Sequence, residues 1–366
     1  MRRVLLNPGP VTISDSVRNA LSLPDNCHRE KEMCDMIRKI RNDLVSFAGG
    51  DDSYTSALFV SSGTGALESV LCSIESHDYI LIISNGAYGE RAKEILDMHK
   101  RFPDRSVMEY LFVDSDWGSP VKISQIKLAL ESGVFSHVFV VHHETTTGIL
   151  NPIKEIGKLA KDNHCTYIVD AISSFGGIPF NIKECNIDFL IGTANKCIQG
   201  VPGLSFVIAK KREIEVLQNS SQSYYFNLYK EWKNQEEKGM FRFTSPVQVI
   251  YAFNQALDEL RQETIDKRYQ RYSESYDTLL TGFKGFGFKL YPTDTPSKLL
   301  ATFIADMNFS FDKFHDKLYD KGYVIYPGKL IDERTFRIAV MGNINKDDIN
   351  EFLKVSKRVL REMEHD

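Results

Sequence analysis

Short apolar runs alternate with longer stretches of mixed charge between about residues 57 and 211. Loops rich in glycine, serine, threonine or asparagine separate the two kinds of segment. The apolar runs that predict strands are 57–60, 79–83, 107–113, 137–141, 166–169, 189–191 and 204–208. The stretches that predict helices are 65–76, 91–99, 123–131 and 153–163. This alternation predicts an α/β fold, with a mainly parallel seven-stranded sheet flanked by helices.

A different pattern follows this region. Residues 246–285 predict a long helical segment, and shorter strand-like and helical segments alternate after it. A chain of 366 residues also exceeds what one hydrophobic core usually supports. We therefore expect a large α/β unit over 1–245 that includes the N-terminal segment, a connecting long helix over 246–285, and a smaller α+β unit over 286–366.

Five residues with polar side chains lie just after predicted strands. They are Ser62, Tyr88, Thr145, Asp170 and Lys196. In open α/β sheets, ligands bind beyond the carboxyl ends of the strands. The sequence therefore predicts that these residues converge on one ligand site.

Lys196 and Asp170 carry the most specific chemistry. Lys196 follows the apolar run 187–191, so its amine is a candidate for a Schiff base at the end of a buried strand. Asp170 follows the apolar run 167–169, where partial desolvation would favour a cationic partner such as a protonated pyridine nitrogen. The pair indicates pyridoxal 5′-phosphate. The alternatives are a solvated loop lysine, a helix-capping aspartate, or a structural ion pair in a non-catalytic binding protein.

The segment 61–68 reads Ser-Ser-Gly-Thr-Gly-Ala-Leu-Glu and lies between a predicted strand and a predicted helix. Its glycines can expose backbone N–H groups where a helix N-terminus favours an anion, so a phosphate could bind at Gly63 and Thr64. It is not a P-loop, and Glu68 stands where a dinucleotide-binding motif would have its third glycine. Helix capping alone would also explain the segment.

Other residues offer single functions. Tyr88, which lies between Gly86 and Gly89, could stack on a cofactor ring. Thr145 could hydrogen-bond a phenolic oxygen. The His-His-Glu run just before it is not accompanied by the further ligands that a zinc site needs, so we expect no metal. Arg337 could bind a carboxylate through two parallel hydrogen bonds, and Thr244 could reach a phosphate.

The composition excludes several classes of partner. The net charge of −4 is small, and basic residues are mixed with acidic ones, which argues against nucleic acid or a membrane surface as partner. No apolar run approaches the roughly 20 residues of a membrane span, and the N-terminus does not resemble a signal peptide, so we expect a cytoplasmic protein. The six cysteines show no paired spacing and are expected to be reduced.

The same residues support a resemblance that spans nearly the whole chain. The matching blocks are 6–10, 62–64, 84–89, 143–148 with 151–153, 169–171 with 173–179, 194–203, 242–246 and 326–329. In these blocks the chain resembles the class V, fold-type I aminotransferases. The Asp170 and Lys196 blocks are the specific ones, whereas the 62–64 loop and Arg337 are shared more widely across the class.

The resemblance implies a homodimer with active sites at the subunit interface. It also implies roles for individual residues: Lys196 as the covalent anchor of pyridoxal phosphate, Asp170 on the ring nitrogen, Tyr88 and Ile172 on opposite ring faces, Thr145 on the phenolic oxygen, Gly63, Thr64 and Asn195 with Thr244 of the other subunit around the phosphate, and Arg337 on the substrate acid. The implied reaction converts 2-aminoethylphosphonate and pyruvate to phosphonoacetaldehyde and alanine.

Two other activities of related enzymes are alternatives to this one. A serine–pyruvate or alanine–glyoxylate aminotransferase would keep the class and change the substrates. A cysteine desulfurase would need a mobile nucleophilic cysteine late in the chain, and every cysteine here precedes residue 200.

Overall fold

The structure is a computed structural model, and it describes residues 3–75, 78–100, 109–328, 330 and 334–364. Its strands, numbered in chain order, are β1 (Val4–Leu5), β2 (Tyr54–Phe59), β3 (Tyr79–Ser84), β4 (Glu109–Asp114), β5 (His137–Val141), β6 (His143–Glu144), β7 (Ile149–Leu150), β8 (Thr166–Asp170), β9 (Phe189–Thr193), β10 (Ser205–Lys210), β11 (Lys289–Leu290), β12 (Leu300–Ile304), β13 (Tyr323–Val324), β14 (Tyr326–Pro327) and β15 (Thr335–Ala339).

The helices are α1 (Asp15–Ala20), α2 (Lys31–Phe47), α3 (Gly63–Leu71), α4 (Ala87–Lys100), α5 (Ile123–Ser132), α6 (Ile153–Asp162), α7 (Lys211–Glu215), α8 (Leu228–Lys238), α9 (Val247–Glu263), α10 (Ile265–Gly285), α11 (Phe311–Asp320) and α12 (Lys346–Glu364). A short 3-10 helix follows α7 at Val216–Asn219. Within the described ranges, no helix is both long and apolar enough to cross a bilayer.

The large sheet has seven strands in the order β2-β10-β9-β8-β5-β3-β4. Its strands are parallel to their neighbours except β10, which runs antiparallel to both β2 and β9. The expected mainly parallel seven-stranded sheet is therefore confirmed. Two predicted ranges extend outside the described residues: 107 and 108 before β4, and 76 after α3.

Helices cover both faces of this sheet because its central strands are apolar on both faces. Along β5, Val138 and Val140 point into one hydrophobic core, whereas Phe139 and Val141 point into the other. Successive side chains of a strand face opposite sides of its sheet, so a strand buried on both sides reads as an unbroken apolar run. That run is the signal by which the sequence identified β5.

The predicted long helix over 246–285 is wrong as a single helix, because the structure divides it into α9 and α10. Thr264, between them, has φ of 70° and ψ of 151°, outside helical geometry, and its side chain accepts a hydrogen bond from the Lys267 N–H. A new helix therefore begins at Ile265. Helix α9 packs into the core of the large sheet, and α10 packs into the C-terminal core.

The C-terminal part contains a four-stranded antiparallel sheet in the order β11-β12-β15-β14. The N-terminal strand β1 pairs in parallel with β13, and Val4 and Leu6 are buried in the same core as Phe283 and Phe336. The N-terminal segment, which we expected to belong with the large unit, thus packs against the C-terminal core, where its apolar residues are covered. The proposed boundaries at 245 and 285 otherwise stay a prediction.

Candidate active site

A cavity opens where three neighbouring parallel strands end. Val141, Asp170 and Thr193 are the last residues of β5, β8 and β9, and all three line it. Of the eleven site residues expected from the sequence, nine line this cavity. They are Ser62, Gly63, Thr64, Tyr88, Thr145, Asp170, Ile172, Asn195 and Lys196.

Lys196 lies in the loop between β9 and β10 and is half-buried. Its Nζ donates a hydrogen bond to the Pro8 carbonyl, so the N-terminal segment meets the reactive amine. Gly9 is essential to this contact, because a Cβ at its φ of 134° would lie 2.6 Å from Nζ. Burial lowers the pKa of the Lys196 amine, and the charge of Arg337 lowers it further, against opposing effects of Tyr88 and Asp170. The environment therefore increases the neutral fraction of the amine.

Asp170 is 4% exposed, and its Oδ1 accepts the Ile172 N–H at 2.8 Å. The pKa of this carboxyl is raised to about 7, chiefly by burial and also by the nearby Glu144, against the opposing effects of the Ile172 N–H and the charges of Arg91 and Lys196. The carboxyl is thus poised to ionise beside a cation placed in the cavity.

The N-terminus of α3 forms another wall. Ser62 is the N-cap residue, yet its side chain makes no capping hydrogen bond. Gly63 packs closely on Ile172, since a Cβ on this glycine would lie 2.8 Å from Ile172 Cδ1. The Thr64 hydroxyl accepts a hydrogen bond from Arg91 Nη1 at 3.3 Å. A helix N-terminus with an adjacent guanidinium is a site for an anion.

Tyr88 lies in the first turn of α4, which begins at Ala87, four residues before the start of the helix predicted over 91–99. Its N–H donates to Glu144 Oε2 at 3.0 Å, and the Ala87 N–H donates to Thr146 Oγ1 at 3.2 Å. These contacts satisfy helix N–H groups that have no partner within the helix. Gly89 lets the helix approach β3, because a Cβ there would lie 2.8 Å from Ser84 Cα.

A hydrogen bond joins Arg337 to Thr145, which lies in the turn between β6 and β7. Arg337, on β15, is 3% exposed, and its Nη1 donates to the Thr145 carbonyl at 3.1 Å while its Nε donates to the Pro327 carbonyl at 3.0 Å. Burial lowers the pKa of this guanidinium. The Thr145 hydroxyl is buried, and no described residue forms a hydrogen bond with it. A buried hydroxyl in that state indicates a ligand group in the cavity that it faces.

The two adjacent histidines have separate structural partners. His142 Nδ1 is 2.9 Å from Ser174 Oγ, and His143 Nε2 is 2.9 Å from Ser297 Oγ. Burial lowers the pKa of each to about 3, so both are neutral at physiological pH. Across the described residues, no group of three or more potential metal ligands is present.

The remaining predicted residues differ in position. Asn195 lines the cavity, and its Oδ1 is 2.9 Å from Thr193 Oγ1. Thr244 is exposed, precedes α9 and does not line the cavity of its own chain. Lys329, the last residue of one matching block, lies outside the described residues.

Sequence reasoning missed Arg91, His143, Ser173 and the contact of Gly9 with Lys196. Arg91 had a usable signal: it lies three residues after Tyr88, on the same face of one helix. For Gly9, only the Asn-Pro-Gly-Pro motif marked the segment, because its contact spans more than 180 residues of sequence.

Comparison with known proteins gives a consistent result. The family described as aminotransferase class-V matches residues 14–317. A 2-aminoethylphosphonate–pyruvate transaminase of Phocaeicola vulgatus is 40% identical over 366 residues, covering 98% of this chain and 99% of that protein. A bifunctional phosphonoacetaldehyde hydrolase/aminoethylphosphonate transaminase of Clostridioides difficile is also 40% identical, over 98% of this chain and 56% of that protein. The chain thus spans about half the length of the bifunctional relative.

Among solved structures, ureidoglycine–glyoxylate aminotransferase of Bacillus subtilis superposes with a TM-score of 0.89 at 21% identity, covering 99% of this chain and 94% of that one. Alanine–glyoxylate aminotransferase of Nostoc has the same TM-score at 22% identity, covering 98% and 96%. These similarities confirm the fold, and the sequence matches confirm the resemblance on which the site was predicted. The chain belongs to the class-V aminotransferase family.

Proposed function

We propose that this protein is a pyridoxal-phosphate-dependent aminotransferase that transfers the amino group of 2-aminoethylphosphonate to pyruvate, giving phosphonoacetaldehyde and L-alanine. The observation that carries the proposal is the convergence of Lys196 and Asp170 on one cavity of a class-V chain. The choice of substrates rests on the full-length relatives of that name at about 40% identity.

The residues around the cavity fit this cofactor. Asp170 is a buried carboxyl with a raised pKa, so a nearby cation would stabilise its ionised form. A protonated ring nitrogen would be such a cation. The unpartnered Thr145 hydroxyl suits a phenolic oxygen, and the open N-terminus of α3 suits a phosphate. Tyr88 and Ile172 line the same cavity and would hold the two faces of the ring.

The cofactor, when bound, supplies an aldehyde that condenses with amines and a ring that withdraws electrons from the substrate carbon. Lys196 would anchor the aldehyde and, once displaced by the substrate amine, would move a proton at Nζ. Its lowered pKa suits both tasks, because a neutral amine is needed for attack and for accepting that proton. Asp170 would keep the ring nitrogen protonated.

Arg337 would bind the acid group of the substrate. Its two hydrogen bonds to described residues both go to main-chain carbonyls, so its positive charge is not neutralised by these partners. A buried guanidinium of this kind favours an anionic ligand, and its planar fork matches a carboxylate or phosphonate. The rigid acceptors at Thr145 and Pro327 would fix the orientation of the fork.

The phosphate would lie against Ser62, Gly63, Thr64 and Asn195 of one chain and Thr244 of a second copy. The exposure of Thr244 outside its own cavity supports this arrangement, since a residue that serves a partner site has no ligand in its own chain. We therefore propose a homodimer with two shared sites. Light scattering coupled to gel filtration tests the dimer, and a monomer at micromolar concentration with full activity would refute it.

The central experiment adds 2-aminoethylphosphonate to the purified protein loaded with pyridoxal phosphate. The absorption of the lysine-bound cofactor should give way to that of the aminated cofactor, and pyruvate should restore the first spectrum. Lys196→Ala should bind the cofactor without this exchange, and borohydride should label Lys196 in the wild type alone. An unchanged spectrum at saturating amine would show that the donor is wrong.

Serine and alanine serve as competing donors. The proposed function requires a higher kcat/KM for 2-aminoethylphosphonate than for either of them. A wild type that neither binds nor uses the cofactor would instead support a non-catalytic α/β binding protein in which Lys196 and Asp170 are structural.

A further inference from the structure

Arg91 is a cation in the candidate site to which the sequence assigned no role. It lies on α4, three residues after Tyr88, and lines the same cavity as Thr64, Asp170 and Lys196. Its guanidinium carbon is 4.6 Å from the centroid of the Tyr88 ring, and its Nη1 donates to Thr64 Oγ1 at 3.3 Å. The side chain is therefore held between the ring and the N-terminus of α3.

The structure gives Arg91 no acidic partner within the described part of the chain. Its hydrogen bond goes to a neutral hydroxyl, and its stacking partner is a neutral ring. The nearby Asp170 senses the charge of Arg91, which lowers the pKa of that carboxyl, but the two are not joined by a salt bridge. The guanidinium thus retains donors for another group.

Two independent features indicate a ligand in this cavity, and the second indicates that the ligand carries an anionic group. Thr145, which lines the same cavity, has a buried hydroxyl without a partner among the described residues, so the cavity is suited to a bound molecule. Beside Arg91, the N-terminus of α3 carries a partial positive charge, and the Ser62 side chain does not cap it. A guanidinium next to free helix N–H groups matches the oxygens of a phosphoryl group.

We propose that Arg91 binds a phosphoryl dianion together with Thr64 at the N-terminus of α3. The inference rests on the proposed function, because two such dianions would enter this site: the phosphate of the cofactor and the phosphonate of the substrate. The hydrogen bond to Thr64 places the guanidinium at the phosphate end, so the cofactor is the favoured source. Arg91 then acts as a specificity residue for the phosphorylated form of the cofactor.

The test compares pyridoxal phosphate with pyridoxal, which lacks the phosphate. Dissociation constants of both compounds are measured by absorption titration for the wild type, Arg91→Ala, Arg91→Lys and Lys93→Ala. Lys93→Ala is the control, because it removes another cation of α4, one that pairs with Asp97 at 2.8 Å. Arg91→Ala should weaken pyridoxal phosphate about tenfold to a hundredfold, the effect of losing a charge-assisted hydrogen bond, and leave pyridoxal unchanged. Arg91→Lys should lie between, and Lys93→Ala should match the wild type.

The remaining outcomes are also decisive. If Arg91→Ala spares both affinities but raises KM for 2-aminoethylphosphonate and not for alanine, Arg91 binds the substrate phosphonate and the inference holds with that source. If both cofactor forms weaken equally, or nothing changes, Arg91 binds no phosphoryl group and the inference is overturned. If the wild type does not bind pyridoxal phosphate, the proposed function fails, and calorimetry with inorganic phosphate then tests Arg91 by itself. Weaker phosphate binding by Arg91→Ala than by the wild type would support the inference, and equal binding or none would overturn it.

Discussion

Asp170→Asn should make the cofactor-free protein more stable at alkaline pH while removing its activity. The carboxyl is 4% exposed, and its Oδ1 accepts the Ile172 N–H at 2.8 Å, a hydrogen bond that asparagine preserves. Asparagine also has the shape of the protonated carboxyl. The substitution therefore removes the buried negative charge while keeping the shape and the hydrogen bond. Without a cationic ligand, that buried charge should destabilise the folded protein.

The magnitude follows from the pKa of the carboxyl. The folded value of about 7 lies above the ordinary 3.8, so the stability that Asp170 contributes is fully present below pH 3.8 and is lost as the pH rises toward 7. Because one pKa unit corresponds to about 1.4 kcal/mol, the total loss above pH 7 is about 4 kcal/mol. Between pH 5 and pH 8 the free energy of unfolding of Asp170→Asn should rise by about 3 kcal/mol relative to the wild type.

Urea denaturation of both cofactor-free proteins, at equal concentration and across pH 5 to 8, measures this difference. Asp188→Asn is the matched control, since Asp188 is also buried but pairs with Lys210 at 2.7 Å and accepts the Tyr167 N–H. Losing that pair should destabilise the protein. A difference between Asp170→Asn and the wild type that stays constant across this pH range would refute the assignment of a raised pKa to Asp170.

Three further substitutions test the geometry around the cavity. Gly89→Ala should lower the free energy of unfolding by about 1–3 kcal/mol, because the added Cβ would lie 2.5 Å from Ser84 Oγ. The control Gly285→Ala, whose Cβ would have no atom within 4 Å, should leave the free energy of unfolding unchanged. Equal urea midpoints for the two variants would contradict this prediction. Glu144→Gln should shift the pH at which Asp170 loses its stabilising effect to a lower value, because the Glu144 charge raises the pKa of the Asp170 carboxyl. If the midpoint of this pH dependence in urea denaturation does not shift, the two carboxyls are not coupled. Arg337→Lys should raise KM for pyruvate about tenfold or more while leaving cofactor affinity unchanged, as steady-state kinetics and titration would measure.

The sequence predicted the parts of this molecule that depend on short-range patterns. The apolar runs of β3, β5 and β8 are continuous because both faces of each strand are buried, and they needed no knowledge of their partners to be recognised. The ends of those strands then determined where the site lies, since adjacent parallel strands end at one edge of the sheet. Lys196 and Asp170 were found in this way.

The failures share a different physical origin, which is long-range contact. Thr264 interrupts a pattern that is helical on both sides, and the break separates residues that pack into two different cores. Strand β1 has only two residues, and its parallel pairing with β13 depends on the complete fold. Tyr88 is part of α4 because Thr146 and Glu144, over fifty residues away in sequence, accept hydrogen bonds from the first two N–H groups of that helix. Local propensity could not predict these partners.

The unsatisfied groups of the cavity are the common element behind the stability prediction and the chemistry. Among the described residues, Asp170 forms no salt bridge, the Thr145 hydroxyl has no acceptor or donor, and Arg91 has no acidic partner. Each is unfavourable when the cavity lacks a ligand, and one molecule carrying a cationic ring, a phenolic oxygen and a phosphate would satisfy all three. The free energy of unfolding should therefore rise with cofactor concentration more steeply for the wild type than for Asp170→Asn, because only the ionised carboxylate gains a partner when the ring nitrogen arrives.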